Sequence, residues 1–499
     1  MTSNNKMRRV KQAAGTRTER DSLGEKAVPA DAYYGIQTAR ALENFRASGL
    51  RHPPSLLRAY ASIKKAAARA NLDLGVIDRR RANAIVWACD AILGGAHADQ
   101  FGLDVYQAGA GTSFNMNVNE VIANLALEKL GRRRGDYRYL SPNDHVNMAQ
   151  STNDTFPTAM NIAALLEVHL LDAALRKLIS AFRGKGRRFR RVAKSARTHL
   201  QDAVPITLGQ EFEAYADAIE AARQEIVRRS DLLKEVALGG TAVGTGLNAH
   251  PKYPQAAVGY LARITGVRLR PARNRISAIQ SNHRIAAVSG SVRDLALELT
   301  RISNDLRLLS SGPTTGIFEI NLPAVQPGSS IMPGKVNPVM AECLNMICFQ
   351  VIGHDLTVSL AVQAGQFDLN VMMPLMAYNL LQSMRLLSSY LPDFIEKCIT
   401  GITANEERCR RYFEGSVALA TALNPHIGYL NAAEIAHQSL LTGESIKKLA
   451  IQRGIMTEEQ FEAVTDPLHT NAPRSKGRTK DKKRRRRKWL KSQKQLRKS

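Results

Sequence analysis

Residues 328–338, Gly-Ser-Ser-Ile-Met-Pro-Gly-Lys-Val-Asn-Pro, are the part of this 499-residue chain best equipped to do chemistry. Ser329 and Ser330 stand just after a glycine and Gly334 follows, so the backbone can bend sharply and bring N–H groups close to a ligand. Lys335 and Asn337 come within a few residues, and either can hold a carboxylate. Pro327, Pro333 and Pro338 bar a regular helix or strand through the segment. A run this polar and hinged reads as a mobile active-site loop; the plainer alternative is a Gly/Pro connector that happens to carry a lysine.

Three further polar islands interrupt the chain: residues 109–120 (GAGTSFNMNVNE), 141–158 (SPNDHVNMAQSTNDTFPT) and 197–210 (RTHLQDAVPITLGQ). Hydroxyls and amides beside buried helices are costly unless they find partners. Capping supplies some of those partners, and Ser151-Thr152-Asn153-Asp154 is suited to start a helix. Four such islands in one chain exceed what capping requires.

Long helices must position these islands. Val288, Val292, Leu295, Leu299, Ile302, Leu306 and Leu309 repeat at 4-3-4-3-4-3 spacing. That keeps the apolar groups on one stripe for about 33 Å of helix. Gly312-Pro313 ends it. Phe212, Tyr215, Ile219, Ala222, Ile226, Leu233 and Val236 predict a second stripe, closed by Gly239-Gly240. A third spans 158–182 through Leu165, Val168, Leu171, Leu175 and Leu178, closed by Gly184. Segments 339–363 and 374–398 also read as helical. Stripes of this length need partners, so the expected class is all-α with an elongated central bundle, of a kind commonly shared between subunits. Strand signals are few and short. The divisions expected are a basic disordered N-terminus (1–20), an N-terminal domain (21–150), a central bundle domain (151–402), a C-terminal domain (403–470) and a basic disordered tail (471–499).

Composition agrees with a soluble globular protein: 44% hydrophobic, 6% aromatic and 23% charged residues. No run of eighteen apolar residues is present, so no transmembrane helix is expected. The polar N-terminus lacks the apolar core of a secretory signal. Cys89, Cys343, Cys348, Cys398 and Cys409 are scattered without a CxxC pair, and read as reduced thiols in a cytoplasmic protein. The net charge of +26 is concentrated at the ends: residues 474–499 hold fifteen Lys/Arg against Asp481, and residues 1–20 hold six against Glu19. The body is only mildly basic.

The islands resemble the signature segments of the aspartase/fumarase superfamily, over about residues 21–467. The loop GSSIMPGKVNP is the hallmark of that group, and GAGTSFNMNVNE, PNDHVNMAQSTNDTFP, RTHLQDAVPITLGQEFEAY, GTGLNAHPKYP, GITANEERCRR and TALNPHIGY agree with it. Within the group, Pro338-Val339-Met340-Ala341-Glu342 is similar to the aspartate ammonia-lyase branch, where fumarases carry PTQCE. Residues 319–328 (EINLPAVQPG), Ser151-Thr152-Asn153 and AVPITLGQEFEAYA lean the same way, while FPTAMNIAA leans slightly toward fumarase.

The resemblance implies a homotetramer whose helices form one central bundle, with each active site assembled from islands of three subunits. The implied reaction is reversible elimination of ammonia from L-aspartate to fumarate. By similarity Ser329 is the base that takes the C3 proton. Thr112, Ser151, Thr152 and Ser330 meet the aci-carboxylate. Lys335 and Asn337, assisted by Thr198, hold the other carboxylate. Asn153, Thr112 and His199 contact the leaving amino group, and His199 in THLQDA takes a site position. His145, in PNDH, serves an anion contact or only a loop. No metal or organic cofactor is required, and no metal-ligand spacing appears. Two departures stand out from the family pattern: Gln280-Ser281-Asn282-His283-Arg284-Ile285 replaces a QNNDAYVE-type segment, and Met373 replaces a usual glutamate.

Two other functions fit many of the same residues: a class II fumarase, which shares the base but releases water, and an inactive scaffold that binds polyanions. Residues 480–499 (KDKKRRRRKWLKSQKQLRKS) are too charged to fold alone. They are expected to contact nucleic acid, with Trp489 available for stacking, or an acidic membrane or protein surface, or to remain a solvated tail.

Overall fold

The computed structural model of the protein describes residues 15–470. The expectations made for residues 1–14 and for the 471–499 tail lie outside the described residues. Twelve helices in chain order carry the argument: α1 (Ile36–Asn44), α2 (Pro54–Asp73), α3 (Arg79–Leu93), α4 (Thr112–Lys129), α5 (Thr152–Arg188), α6 (Leu208–Ser230), α7 (Tyr253–Thr265), α8 (Arg275–Gln280), α9 (His283–Leu309), α10 (Val339–Gln363), α11 (Met373–Lys397) and α12 (Glu406–Gly415). Strands are short and occur only as pairs among the described residues. The two longer pairs are antiparallel, β1 (Thr16–Asp21) with β2 (Gly24–Pro29) and β3 (Ala193–Thr198) with β4 (Gln201–Thr207). The all-α expectation holds.

Helix α9 is built as its spacing requires: Val288, Val292, Leu295, Leu299, Ile302, Leu306 and Leu309 are all buried. Each such side chain contributes roughly 1.5–3 kcal/mol when removed from water. Helices α10 and α11 also match their segments. Two helices differ from expectation. α5 runs on through Gly184 to Arg188, and α6 stops at Ser230, so Leu233 and Val236 are buried from a 3-10 turn and a two-residue strand instead. The N-terminal end is ordered earlier than expected. Arg17 donates to the carbonyls of Pro29, Ala32 and Tyr34, and buried Glu19 accepts from the N–H of Ile36, which fixes β1 from Thr16 onward.

The chain folds as two compact units. The first comprises the described part of residues 1–181 with Ala216–Arg307 and Pro323–Gly401. Inside it α2 packs on α3 and α7, α10 on α11, and Tyr60 meets the edges of Phe114 and Phe156. The second comprises Phe182–Tyr215, Leu308–Leu322 and the described residues from Ile402 onward. Phe182, Phe189, Phe212 and Tyr215 form its aromatic cluster, and Leu419, Leu423, Ile435, Leu449 and Phe461 a second core.

One helix is apolar enough to pass a length-and-hydropathy test that core helices also pass. An 18-residue window of Val339–Gln363 has a mean hydropathy of 1.3, enough by length and composition alone to cross a membrane. Its inner face carries polar groups: Asp355 accepts from Ser289 and Arg293, and His354 meets Ser383. Its outer face leaves Met346, Phe349, Leu356 and Leu360 exposed.

Candidate active site

The Ser329 loop is closed by its own backbone. Gly328 N–H donates to Lys335 O at 2.7 Å, and the Asn337 side-chain amide donates to Gly328 O at 2.7 Å. A Cβ at Gly328 would lie 2.7 Å from Lys335 O and 2.8 Å from Asn337 N, so only glycine permits this closure. At the loop's apex Ser329 Oγ accepts two backbone N–H groups, from Ile331 at 3.2 Å and Met332 at 3.0 Å. Gly334 turns the chain at φ +79°. Ser330 is exposed; so is Lys335, whose ammonium is unpaired among the described residues. Ser329, Met332, Lys335 and Val336 line an open hollow of about 480 Å³.

The 151–153 turn opens α5. Ser151 Oγ accepts from Asn153 N at 3.2 Å while Asp154 Oδ1 accepts from Ser151 N at 3.0 Å, so this island does cap a helix. It is also held from two sides by buried charge. On one side Lys64 Nζ, fully buried, donates to Asn115 at 2.8 Å and to Asn147 and Gln150 at 2.9 Å; Asn115 in turn donates to Thr152 Oγ1 at 2.9 Å. Burial holds the Lys64 ammonium down to about 7 despite the Asp154 charge. On the other side Asp154 Oδ2 accepts Gly239 N–H at 3.0 Å and Thr241 N–H at 2.9 Å. Asn153 reaches the same segment, donating to Ala242 O at 2.8 Å.

Thr112 begins α4, exposed, with Oγ1 3.5 Å from Gly109 O. The turn before it needs glycine: Gly111 has φ +81°, and a Cβ there would sit 2.0 Å from the Phe156 ring. Val371 O accepts from Ala110 N at 2.8 Å, which ties this turn to the chain just ahead of α11.

Thr198 and His199 lie in the second unit, at the tip of the β3–β4 hairpin. Thr198 pairs with Gln201, so His199 and Leu200 form a two-residue turn, at φ +54° and +62°. Turns of this type favour Asn-Gly because both positions are left-handed. Here a histidine and a leucine take them, both exposed.

The first unit therefore holds Thr112, Ser151, Thr152, Asn153, Ser329, Ser330, Lys335 and Asn337, and the second holds Thr198 and His199. The turn at 151–153 and the segment 239–242 are brought together. Among the described residues no hydrogen bond joins the Ser329 loop to that turn or to Thr112. Asn337 uses one amide hydrogen for loop closure, which leaves one for a ligand. Sequence reasoning missed Lys64, Asn115, Gln150 and Thr241. His145 Nδ1 accepts from Ser141 N at 2.9 Å, a loop contact, and burial lowers its pKa.

The two departures are accommodated locally. Arg284 pairs with Glu235 at 2.6 Å, and His283 Nδ1 lies 3.1 Å from Ser281 Oγ. Met373 is fully buried at the start of α11, where a glutamate would need a partner. All five cysteines are free.

Residues 24–353 match the lyase family, and residues 419–469 match the fumarase C C-terminus. Long helices ending in hydroxyl- and amide-bearing turns, together with that match, define an all-α lyase. The chain is 48% identical over 462 residues to an aspartate ammonia-lyase of Bacillus sp., covering 93% of this chain and 99% of the relative. It is 51% identical to the aspartate ammonia-lyase of Pseudomonas aeruginosa, covering 92% and 98% respectively. Among solved structures, a fumarate lyase:delta crystallin from Brucella melitensis bound to cobalt superposes with a TM-score of 0.89 at 51% identity, over 92% of this chain and all of that one. A class II fumarase from Schistosoma mansoni does so with a TM-score of 0.88 at 38% identity, with the same coverage. The chain belongs to the aspartase/fumarase superfamily.

Proposed function

We propose that this protein is an aspartate ammonia-lyase, eliminating ammonia reversibly from L-aspartate to give fumarate. The observation that carries the reading is the pair of N–H donors on Ser329 Oγ. A proton beside a carboxylate is a very weak acid, and a neutral serine cannot remove it. An alkoxide can, and hydrogen bonds to the charged form are what favour it. The near-half identity to relatives named aspartate ammonia-lyase supports the choice of substrate.

In this reading Ser329 takes the C3 proton, and the developing aci-carboxylate is met by hydroxyls of Thr112, Ser151, Thr152 and Ser330 and by loop N–H groups. Lys335 and the second amide hydrogen of Asn337, with Thr198, hold the other carboxylate. Asn153, Thr112 and His199 contact the amino group. The C–N bond then breaks, its electron pair leaves with nitrogen, and the C2–C3 double bond forms.

Islands held on different turns call for more than one copy of the chain, and α10 supports a homotetramer. Met346, Phe349, Gly353, Leu356 and Leu360 follow 3-4-3-4 spacing on a flank left in solvent, while the opposite flank is buried. A helix apolar on two sides packs between others. We place the enzyme in the cytoplasm, consistent with its five free thiols. The basic tail is assigned a salt-sensitive polyanion contact on composition alone.

The test is to follow fumarate formation by ultraviolet absorbance with L-aspartate and, separately, with L-malate. Signal with aspartate is expected. Signal with malate alone would replace the reading with a fumarase, and signal with neither would favour an inactive scaffold.

A further inference from the structure

The hairpin that carries Thr198 and His199 has no side-chain anchor of its own at the tip: among the described residues, Thr198, His199 and Leu200 make no side-chain hydrogen bond. Its placement comes from the strands and from one buried carboxylate. Glu319 is fully buried and receives Arg197 through both guanidinium arms, at 3.0 and 2.9 Å, and Lys194 at 2.8 Å. Lys194, itself buried, also pairs with Glu211 at 2.8 Å. Burial alone would lower the Lys194 pKa, but Glu211 and Glu319 reverse that and raise it.

On a regular strand, residues three apart face opposite sides. Between Ser195 and Arg197 the β3–β4 register slips by one, the extra residue lying on β4, and Lys194 and Arg197 both reach Glu319. The main chain that carries the carboxylate is tied on both sides. Glu319 N–H donates to Leu309 O at 2.8 Å, Asn405 N–H donates to Glu319 O at 2.9 Å, and the Tyr412 ring lies 5.6 Å from the Arg197 guanidinium. A set of four charges, Glu319 and Lys194 buried and Arg197 and Glu211 half-buried, adds little to stability, since apolar side chains of similar volume do as well. What such a set provides here is direction. The bidentate fork fixes Arg197, the residue directly before Thr198, two positions from His199 in its left-handed turn.

We propose that Glu319 is a positioning residue for the reaction: through Arg197 and Lys194 it sets where the hairpin tip holds Thr198 and His199. This rests on the reading of His199 as a group that touches substrate.

A double-mutant cycle on the full chain tests it, using initial rates with L-aspartate for Glu319→Gln, His199→Ala and the pair. Displacing a site group by about 1 Å costs on the order of a hundredfold in rate. Glu319→Gln is therefore expected to lower kcat about a hundredfold, with KM changed far less. In the His199→Ala background the same change is expected to cost much less, because only Thr198 is left at the tip to be displaced. Glu319→Asp is expected to recover part of the loss. If Glu319→Gln lowers kcat by the same factor with and without His199, or does not lower it while His199→Ala does, the positioning role is overturned and the proposed function stands. If His199→Ala turns over at the normal rate, the reading of His199 fails and this inference fails with it. Should Glu319→Gln not fold, Arg197→Gln, which keeps the Lys194–Glu319 pair, runs the same cycle with the same outcomes.

Discussion

Asn337 donates its side-chain amide to the carbonyl of Gly328 at 2.7 Å, and so clamps the two ends of the serine loop nine residues apart. The clamp holds the chain so that the N–H groups of Ile331 and Met332 both point at Ser329 Oγ. Little else holds this loop, which is exposed over most of its length.

Gly328→Ala therefore separates activity from stability. The new Cβ would meet backbone at 2.7 and 2.8 Å, and backbone cannot swing aside as a side-chain end can. kcat is expected to fall by about a hundredfold, as misplaced site groups do. The melting temperature is expected to hold within a few degrees, because few buried contacts depend on the loop. Kinetics and thermal unfolding of one preparation check both halves.

Lys64→Met has the opposite character. It leaves the side-chain oxygens of Asn115 and Gln150 facing a buried methyl group, while Asn147 Oδ1 keeps the amides of Asn115 and Asn119 as donors. Each buried acceptor left without a donor costs about 1–3 kcal/mol. Denaturant unfolding is expected to register a loss of that order, and the folded remainder is expected to bind substrate less well through the loosened Asn115–Thr152 bond. An unchanged unfolding midpoint would contradict the role assigned to this lysine.

Gly111→Ala is expected to be destabilising by several kcal/mol, because it combines a left-handed φ with a Cβ placed 2.0 Å from the Phe156 ring. Phe156→Leu in the same chain is expected to recover part of the loss by making room. The unfolding midpoints of the single and double variants decide it.

Asp104 supplies an acid-side prediction. Burial by itself would raise its carboxyl, but N–H groups of Tyr106, Ser48 and Gly49 and the Ser48 hydroxyl overturn that and bring it down to about 2. A folded pKa below the unfolded value of about 3.9 means stabilisation that is full above the latter. It is lost as pH falls through the folded value. Wild type is expected to exceed Asp104→Asn by about 2 kcal/mol at neutral pH, with the gap closing below about pH 4. A gap that widens with acid would reverse the sign and refute the assignment.

Much of this molecule was legible because apolar spacing is local. The α9 stripe needs only seven side chains at 4-3 intervals, and all seven are buried. The end of α5 was not legible for the same reason. Gly184 read as the stop, yet the helix continues through Gly186, where a Cβ would lie 2.5 Å from the Glu213 side chain and 3.2 Å from Gly209 O. That glycine is there for close approach of two segments, a fact about packing that no window around it contains. The site divides likewise. Ser329, Lys335 and Asn337 fall in one loop, so their types and spacing announce them. Lys64 sits in an alanine-rich helix and looks like any surface lysine; its partners are 51 to 86 residues away. Asp154 was read as part of a cap, and its bonds to Gly239 and Thr241 appear only when the chain is folded.

The most direct measurement is turnover by Ser329→Ala with L-aspartate, alongside binding of fumarate to the same protein. Loss of an activated base is expected to reduce kcat by about 10² to 10⁴, while Lys335 and Asn337 still hold the ligand and its affinity stays within a few fold. Deamination at a rate near that of the unmodified enzyme would contradict the account at its centre.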